Sequence, residues 1–220
     1  MVDRRRQRKF TPALRLHWLT PFYDTAIRLF TREKKWRGRL LELLDPQPDD
    51  RILDVGCGTG SLAILIKQEF PGCQVVGIDP DERVLRIARR KAELAGVSID
   101  WRTGFAEDLS PERESFAWIV STLVLHQTSL ESKKTLLRHC RHLLSEEGKL
   151  LIADYGIQES WAMRFLFRLV VQTVDGRTDT QPNADGFILD FLRQSDFRDS
   201  GVDCCFPTLT GALSIFRATR

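Results

Sequence analysis

Residues 51–60 read Arg51-Ile52-Leu53-Asp54-Val55-Gly56-Cys57-Gly58-Thr59-Gly60, a mostly aliphatic run that breaks into glycines at alternate positions. A run of this kind predicts a buried strand that stops at Gly56. Having no Cβ, the glycines let the main chain turn sharply and lie close to a ligand. The next stretch has helical period: Leu62, Leu65, Ile66 and Phe70 share one face over 61–70, and Pro71-Gly72 closes it.

Outward from this unit, strands are predicted at 74–78, 97–101, 116–121 and 149–154. A helical pattern carrying Val84, Leu85, Ala88, Ala92 and Ala95 runs from Pro80 to Gly96, and an amphipathic one covers 130–144. Strands alternating with helices predict an α/β fold, a parallel sheet with helices on both faces. The rhythm changes at the C-terminal end, where 202–206 and 212–218 read as an antiparallel hairpin at the sheet edge. Ligands of such open sheets bind beyond the carboxyl ends of the strands, so the site is expected after Val55, Ile78, Trp101, Ser121 and Asp154. Before residue 50 the chain is helical and aromatic-rich (Phe10, Trp18, Phe22, Tyr23, Phe30, Trp36), read mainly as a helix pair on the sheet, with a minority able to form a lid.

Composition narrows the function. The 220 residues can bury a core without disulfide or metal. Lys and Arg number 33 against 30 Asp and Glu, a net charge of +3, which argues against an electrostatic nucleic-acid binder. No apolar run is long enough to cross a bilayer, and no signal-peptide stretch follows the basic Arg4, Arg5, Arg6, Arg8 and Lys9, which reads as a solvated tail. The 5 cysteines lack CxxC spacing, so neither a disulfide framework nor a metal site is expected, and the compartment is read as cytoplasmic.

Asp79 ends the second strand, about 20 residues beyond the glycines, where a carboxylate can accept from both ribose hydroxyls of a nucleoside cofactor. The glycine spacing is GxGxG rather than the GxGxxG that cradles a dinucleotide pyrophosphate. Asp54, two positions before Gly56, would repel a pyrophosphate but suits the ammonium and sulfonium of S-adenosylmethionine. The plain alternative is a turn whose glycines serve close packing only.

On these residues the sequence resembles the class I S-adenosylmethionine-dependent methyltransferases. The matching stretches are ILDVGCGTG (52–60), VVGID (75–79), GFAEDL (104–109), FAWIVSTLVLH (116–126) and LLSEEGKLLIADYG (143–156). The likeness is greatest to the small-molecule branch related to ubiquinone and menaquinone biosynthesis. It implies a Rossmann-like, doubly wound seven-stranded sheet with the last strand antiparallel. It also implies an N-terminal basic tail and helical lid over 1–45 and a methyltransferase domain over 46–220. In the roles it implies, Gly56, Gly58 and Gly60 pass under the methionine and ribose, Asp54 helps hold the amino-acid end, and Asp79 holds the ribose. Pro80 lies against adenine, Ala106 offers its N–H to the base, Ser121 faces the methionyl group, and Tyr23 closes over the cofactor. Many relatives carry Asp where this chain has Phe105, so adenine is expected to rest on apolar contact there, with Glu107 or Asp108 as replacements. S-adenosylhomocysteine would be the product.

Methyl transfer needs alignment and water exclusion first, and a base only when the acceptor must lose a proton. The place after the fourth strand reads Ser121-Thr122-Leu123-Val124, without the Asn/Asp-Pro-Pro-aromatic motif that nucleobase-amine methyltransferases resemble one another in. No cysteine follows a proline, as cytosine C5 methylation would need, and Cys57 reads as a small packing group. His126 is a candidate base or a satisfied loop histidine. Asp154 and Tyr155 end the fifth strand beside the expected acceptor pocket; Asp154 either orients a substrate or caps the following helix. The apolar stretch 161–174 admits three readings: core, taken first, then a wall of the acceptor pocket, then a membrane-surface helix. The polar stretch 175–185 is expected as an exposed loop. The function expected is methyl transfer to a small, partly apolar acceptor. Its rivals are an RNA or protein methyltransferase and a non-catalytic cofactor-binding protein. Acceptor atom and oligomeric state stay open.

Overall fold

The computed structural model describes residues 31–220. The chain enters through α1 (Glu33–Leu43) and then alternates β1 (Arg51–Val55), α2 (Ser61–Glu69), β2 (Gln74–Asp79), α3 (Glu82–Leu94), β3 (Asp100–Thr103) and β4 (Phe116–Thr122). Next come α4 (Leu130–Leu143), β5 (Leu144–Tyr155) and α5 (Trp161–Phe167). The last elements are α6 (Arg177–Ala184), α7 (Phe187–Gln194), β6 (Arg198–Thr208) and β7 (Gly211–Thr219). The seven strands form one sheet in the order β3-β2-β1-β4-β5-β7-β6. Strands β1 to β5 pair in parallel, while β7 is inserted antiparallel between β5 and β6. Strand order reverses between β1 and β4, so a crevice opens at their carboxyl ends, as in other doubly wound sheets.

Alternation along the strands splits the core into two layers. Leu53 and Val55 of β1 and Ile119 of β4 face α4 and α7, packing with Leu137, Ile188 and Leu192. Ile52 of β1 and Trp118 and Val120 of β4 face α1 and α2, packing with Trp36, Leu40, Leu62 and Ile66. Asp54 follows the parity of Ile52 and lies in this second layer. The aromatic residues before Thr31, Tyr23 among them, lie outside the described residues.

Several boundaries differ from expectation. Strand β3, expected at 97–101, is Asp100–Thr103. Gly96 (φ 66°) ends α3, and Val97 N–H bonds Ala92 O while Gly96 N–H bonds Glu93 O. This helix-closing motif consumes the residues that looked like the start of the strand. Strand β5, expected at 149–154, begins at Leu144, and its register with β4 shifts between Phe116 and Trp118. The exposed Glu146 and Glu147 gave that bulged start a turn-like composition. Edge strand β6, expected at 202–206, is Arg198–Thr208, its polar first residues Arg198, Asp199 and Ser200 having hidden its start.

Two larger expectations are corrected. The stretch 175–185 is no exposed loop: it contains α6, with Thr180 and Asn183 buried. Thr, Asp and Asn are poor helix formers, but tertiary hydrogen bonds described below override that preference. Core packing of 161–174 holds only on one side. Phe167 and Val171 are buried, whereas Trp161 is 81% exposed, Phe165 58% and Leu169 59%. Helix α5 and its π-type continuation Arg168–Gln172 rest on the sheet end by a single face, against Tyr155.

Candidate active site

The glycine loop is built from main-chain bonds. Gly56 and Cys57 N–H groups donate to Ile78 O at 2.8 and 3.1 Å, tying the loop to the end of β2. Asp79 turns toward it: Oδ2 accepts from Gly58 N–H and Oδ1 from Asp81 N–H, both at 2.9 Å. Burial pushes the Asp79 carboxyl above its usual range, and these two amides oppose the rise. Gly56 (φ 68°) has no alternative, because a Cβ there would lie 2.4 Å from Val124 Cγ2. At Gly58 (φ 53°) a Cβ would meet nothing within 4 Å among the described residues, so none of these covers the main chain there, beside Asp79. Cys57 is buried, and burial pushes its thiol well above its ordinary value, which suits a packing group rather than a nucleophile.

Beneath the loop lies Asp54, with no solvent exposure. Among the described residues neither of its carboxylate oxygens has a hydrogen-bond partner. Desolvation lifts its carboxyl from 3.8 to about 7; the Arg37 guanidinium pulls it down from longer range, and Asp79 adds to the rise. A buried, unsatisfied carboxylate is rare and costly, and a cationic ligand group would relieve it. The ammonium of a bound methionine moiety is such a group, and the uncovered main chain at Gly58 leaves room for the rest. The residues therefore fit an S-adenosylmethionine-type cofactor. Arg37, on α1 and paired with Glu33 at 2.7 Å, joins this end of the site. Sequence reasoning missed it because an i, i+4 Glu–Arg pair looks like ordinary helix-surface decoration.

Of the remaining predicted cofactor residues, Tyr23 lies outside the described residues and the others lie at or after the carboxyl ends of β2, β3 and β4. Ser121 Oγ donates to Val55 O at 3.1 Å, joining the ends of β4 and β1. Pro80 follows β2. Phe105 and Ala106 open a 3-10 turn after β3, and Asp108 Oδ2 accepts from Phe105 N–H at 2.8 Å. Asp108 is thereby engaged by the turn.

On the acceptor side, the 3-10 turn Leu125–Gln127 hangs on Asp154. Asp154 Oδ2 accepts from the N–H groups of Leu125 (2.7 Å) and His126 (3.3 Å). Its Oδ1 accepts from Tyr155 N–H (2.7 Å) and lies 2.8 Å from His126 Nδ1. Asp154 caps the turn that carries the histidine, not the helix after β5. The His126 ring stands edge-on to Tyr155, with centroids 5.0 Å apart, and Tyr155 donates its hydroxyl to Thr210. Gln127 Nε2 is 3.2 Å from His126 Nε2, and the Asp175 carboxylate lies 3.6 Å from the same nitrogen. Asn183 Nδ2 reaches Asp154 Oδ1 at 3.5 Å from α6. Asp175 and Asn183 were hidden in the stretch read as a loop.

Comparison with known proteins now has a geometry to attach to. The methyltransferase domain family matches residues 52–148. A demethylmenaquinone methyltransferase from Thermus thermophilus is 30% identical over 158 residues, 71% of this chain and 71% of the relative. The chain belongs to the class I S-adenosylmethionine-dependent methyltransferases. This methyltransferase is also 38% identical over 117 residues to a ubiquinone biosynthesis O-methyltransferase from Methylocella silvestris, 52% of the chain and 45% of that relative. It thus spans between about half and about two-thirds of the length of these curated relatives. Magnesium protoporphyrin IX methyltransferase from Synechocystis PCC 6803, solved with bound S-adenosylhomocysteine, shares the fold. The TM-score is 0.67 at 22% identity, covering 90% of this chain and 87% of that one. Among the described residues no helix is long and apolar enough to cross a membrane.

Proposed function

We propose that this methyltransferase moves the methyl group of S-adenosylmethionine to a small, partly apolar molecule by in-line displacement. The observation that carries the reading is the buried Asp54 carboxylate, without a hydrogen-bond partner among the described residues, beneath the glycine loop. When bound, the cofactor supplies an electrophilic methyl group on a sulfonium. Asp54 accepts from its ammonium and Asp79 from its ribose hydroxyls. Gly58 gives it bare main chain, Gly56 and Gly60 let the loop pack closely on Val124 and on Trp101 and Ala88, and Pro80, Phe105 and Ala106 flank the base. Ser121 stands where the methionyl group meets the acceptor.

Where the acceptor must lose a proton, His126 takes it. With Nδ1–H donated to Asp154, Nε2 is the basic nitrogen, and the Gln127 amide that donates to it must give way when the acceptor binds. The Asp175 carboxylate beside Nε2 stabilises the imidazolium that forms. Asp154 and Tyr155 act as positioning residues, since their polar atoms are already engaged. Relatives named for demethylmenaquinone and ubiquinone biosynthesis support a small, apolar acceptor, and the wall formed by Phe167, Val171 and Tyr155 suits one.

The test is release of S-adenosylhomocysteine with a panel of hydroxylated aromatic molecules, alongside calorimetric cofactor binding. His126→Gln is expected to lower kcat about 10²- to 10⁴-fold, the range of a lost general base, with cofactor affinity retained. Tight cofactor binding without turnover on any acceptor would instead favour a non-catalytic binding protein. Turnover confined to RNA or protein, and lost on deleting residues 1–9, would favour the macromolecular rival.

A further inference from the structure

A buried lysine stands behind the acceptor end of the sheet. Lys133, in the first turn of α4, has no solvent exposure. Its Nζ donates to the carbonyls of Thr128 (2.5 Å) and Asp179 (2.6 Å). Thr128 closes the turn that carries His126, and Asp179 belongs to α6. The same α6 sends Asn183 to Asp154, and the turn before it holds the Asp175 carboxylate 3.6 Å from His126 Nε2. Lys133 therefore joins the two segments that enclose the histidine.

An ammonium is a costly way to fill buried space, since a methionine side chain of similar length would do so without losing hydration. Burial lowers the Lys133 amine to about 8, against the pull of Asp154 from β5 and Asp179 from α6. It is thus still mainly charged at neutral pH. The ionisable groups facing the His126 ring are Asp154 and Tyr155 from β5 and Asp175 from the segment before α6. Asp154 couples the ring to the lysine, being hydrogen-bonded to one and electrostatically linked to the other.

We propose that Lys133 is a positioning residue for the acceptor end of the site. It fastens α6 to the His126 turn, and as a cation beside the Asp154–His126 pair it favours the neutral imidazole able to take a proton. The second role rests on the reading of His126 as a base; the first does not.

The experiment is an NMR titration of the histidine imidazoles in the full chain, with the His126 signal assigned from its loss in His126→Gln. In Lys133→Met the His126 midpoint is expected to rise by about 0.5 pH unit or more, because a nearby cation disfavouring the imidazolium has gone. The acid limb of the pH profile of kcat/KM moves with it, kcat falls about 10-fold, and cofactor Kd stays within about twofold, since the cofactor half of the sheet is untouched. Lys133→Arg keeps the charge and is expected to keep the wild-type midpoint. An unmoved midpoint in folded Lys133→Met overturns the proposal. If the methionine variant does not fold, Lys133→Gln replaces it; if neither charge-free variant folds, the lysine serves the fold alone and the proposal fails. The titration needs no substrate, so absence of turnover would sink the methyl-transfer reading without deciding that of Lys133.

Discussion

Replacing Asp54 by asparagine tests the central feature of the site, because the change removes a charge and almost no volume. In the folded protein the Asp54 carboxyl is lifted from 3.8 to about 7, chiefly by desolvation. A rise of that size corresponds to about 4 kcal/mol of ionisation cost, an upper bound once water and side chains relax. Between the two values the folded protein holds a proton that the unfolded chain has released. Stability therefore falls as pH rises from about 4 and is lowest, from this group, above about 7. Asp54→Asn lacks that fall. At pH 8 the ligand-free variant is expected to be more stable than wild type by about 2–4 kcal/mol, or about 5–10 °C in Tm for a chain of this size. At pH 5 the advantage shrinks to less than half of that, and it vanishes below pH 4. Scanning calorimetry at these pH values gives the comparison. Added S-adenosylmethionine should raise the Tm of wild type and leave the variant almost unmoved. A variant no more stable than wild type at pH 8, or a gain independent of pH, would refute the account of Asp54 as an uncompensated charge awaiting a cation.

Other outcomes follow from single contacts. Asp79→Ala should weaken cofactor binding by about 1.5–3 kcal/mol, the worth of hydrogen bonds to a charged group, as read by titration calorimetry; undiminished affinity would remove the ribose role. Gly56→Ala places a Cβ 2.4 Å from Val124 at positive φ and should cost about 1–3 kcal/mol in urea unfolding, whereas a neutral result would mean the loop readily rearranges. Phe167→Ala should cost about 3–5 kcal/mol because the ring is buried, while Phe165→Ala, on the solvent side of the same helix, should cost under about 1 kcal/mol; equal losses would contradict the one-sided packing of α5.

The stretch from β1 to α3 was legible because its signals are local. An aliphatic strand, glycines at alternate positions, a periodic helix and an acidic strand end each report on their own few residues. The edge hairpin was read from the residues and the seven-stranded sheet with its last strand antiparallel from the family resemblance, whereas the strand order, with β7 between β5 and β6, came from the structure. Where the reading failed, a residue preference was outvoted by particular hydrogen bonds, some local and some from distant parts of the chain. Val97 looked like strand but closes α3. Thr180 and Asn183 looked like loop but form α6, because the Thr180 hydroxyl finds Gly176 O at 2.6 Å and Asn183 finds Asp154. The aromatic content of 161–174 looked like core, yet a helix at the end of a sheet can bury only the face it turns inward.

The linear chain was enough to settle that this is an α/β methyltransferase with Asp54, the glycines and Asp79 around one crevice, since those residues sit next to the strand ends that place them. Folding alone revealed that Asp54 has no hydrogen-bond partner among the described residues, that Asp154 holds His126 rather than capping a helix, and that Arg37, Asp175, Asn183 and Lys133 are brought next to these groups. Burial and charge pairing are properties of residues brought together from distant parts of the chain. No local pattern of letters encodes which of two carboxylates is satisfied by neighbours and which is left for a ligand.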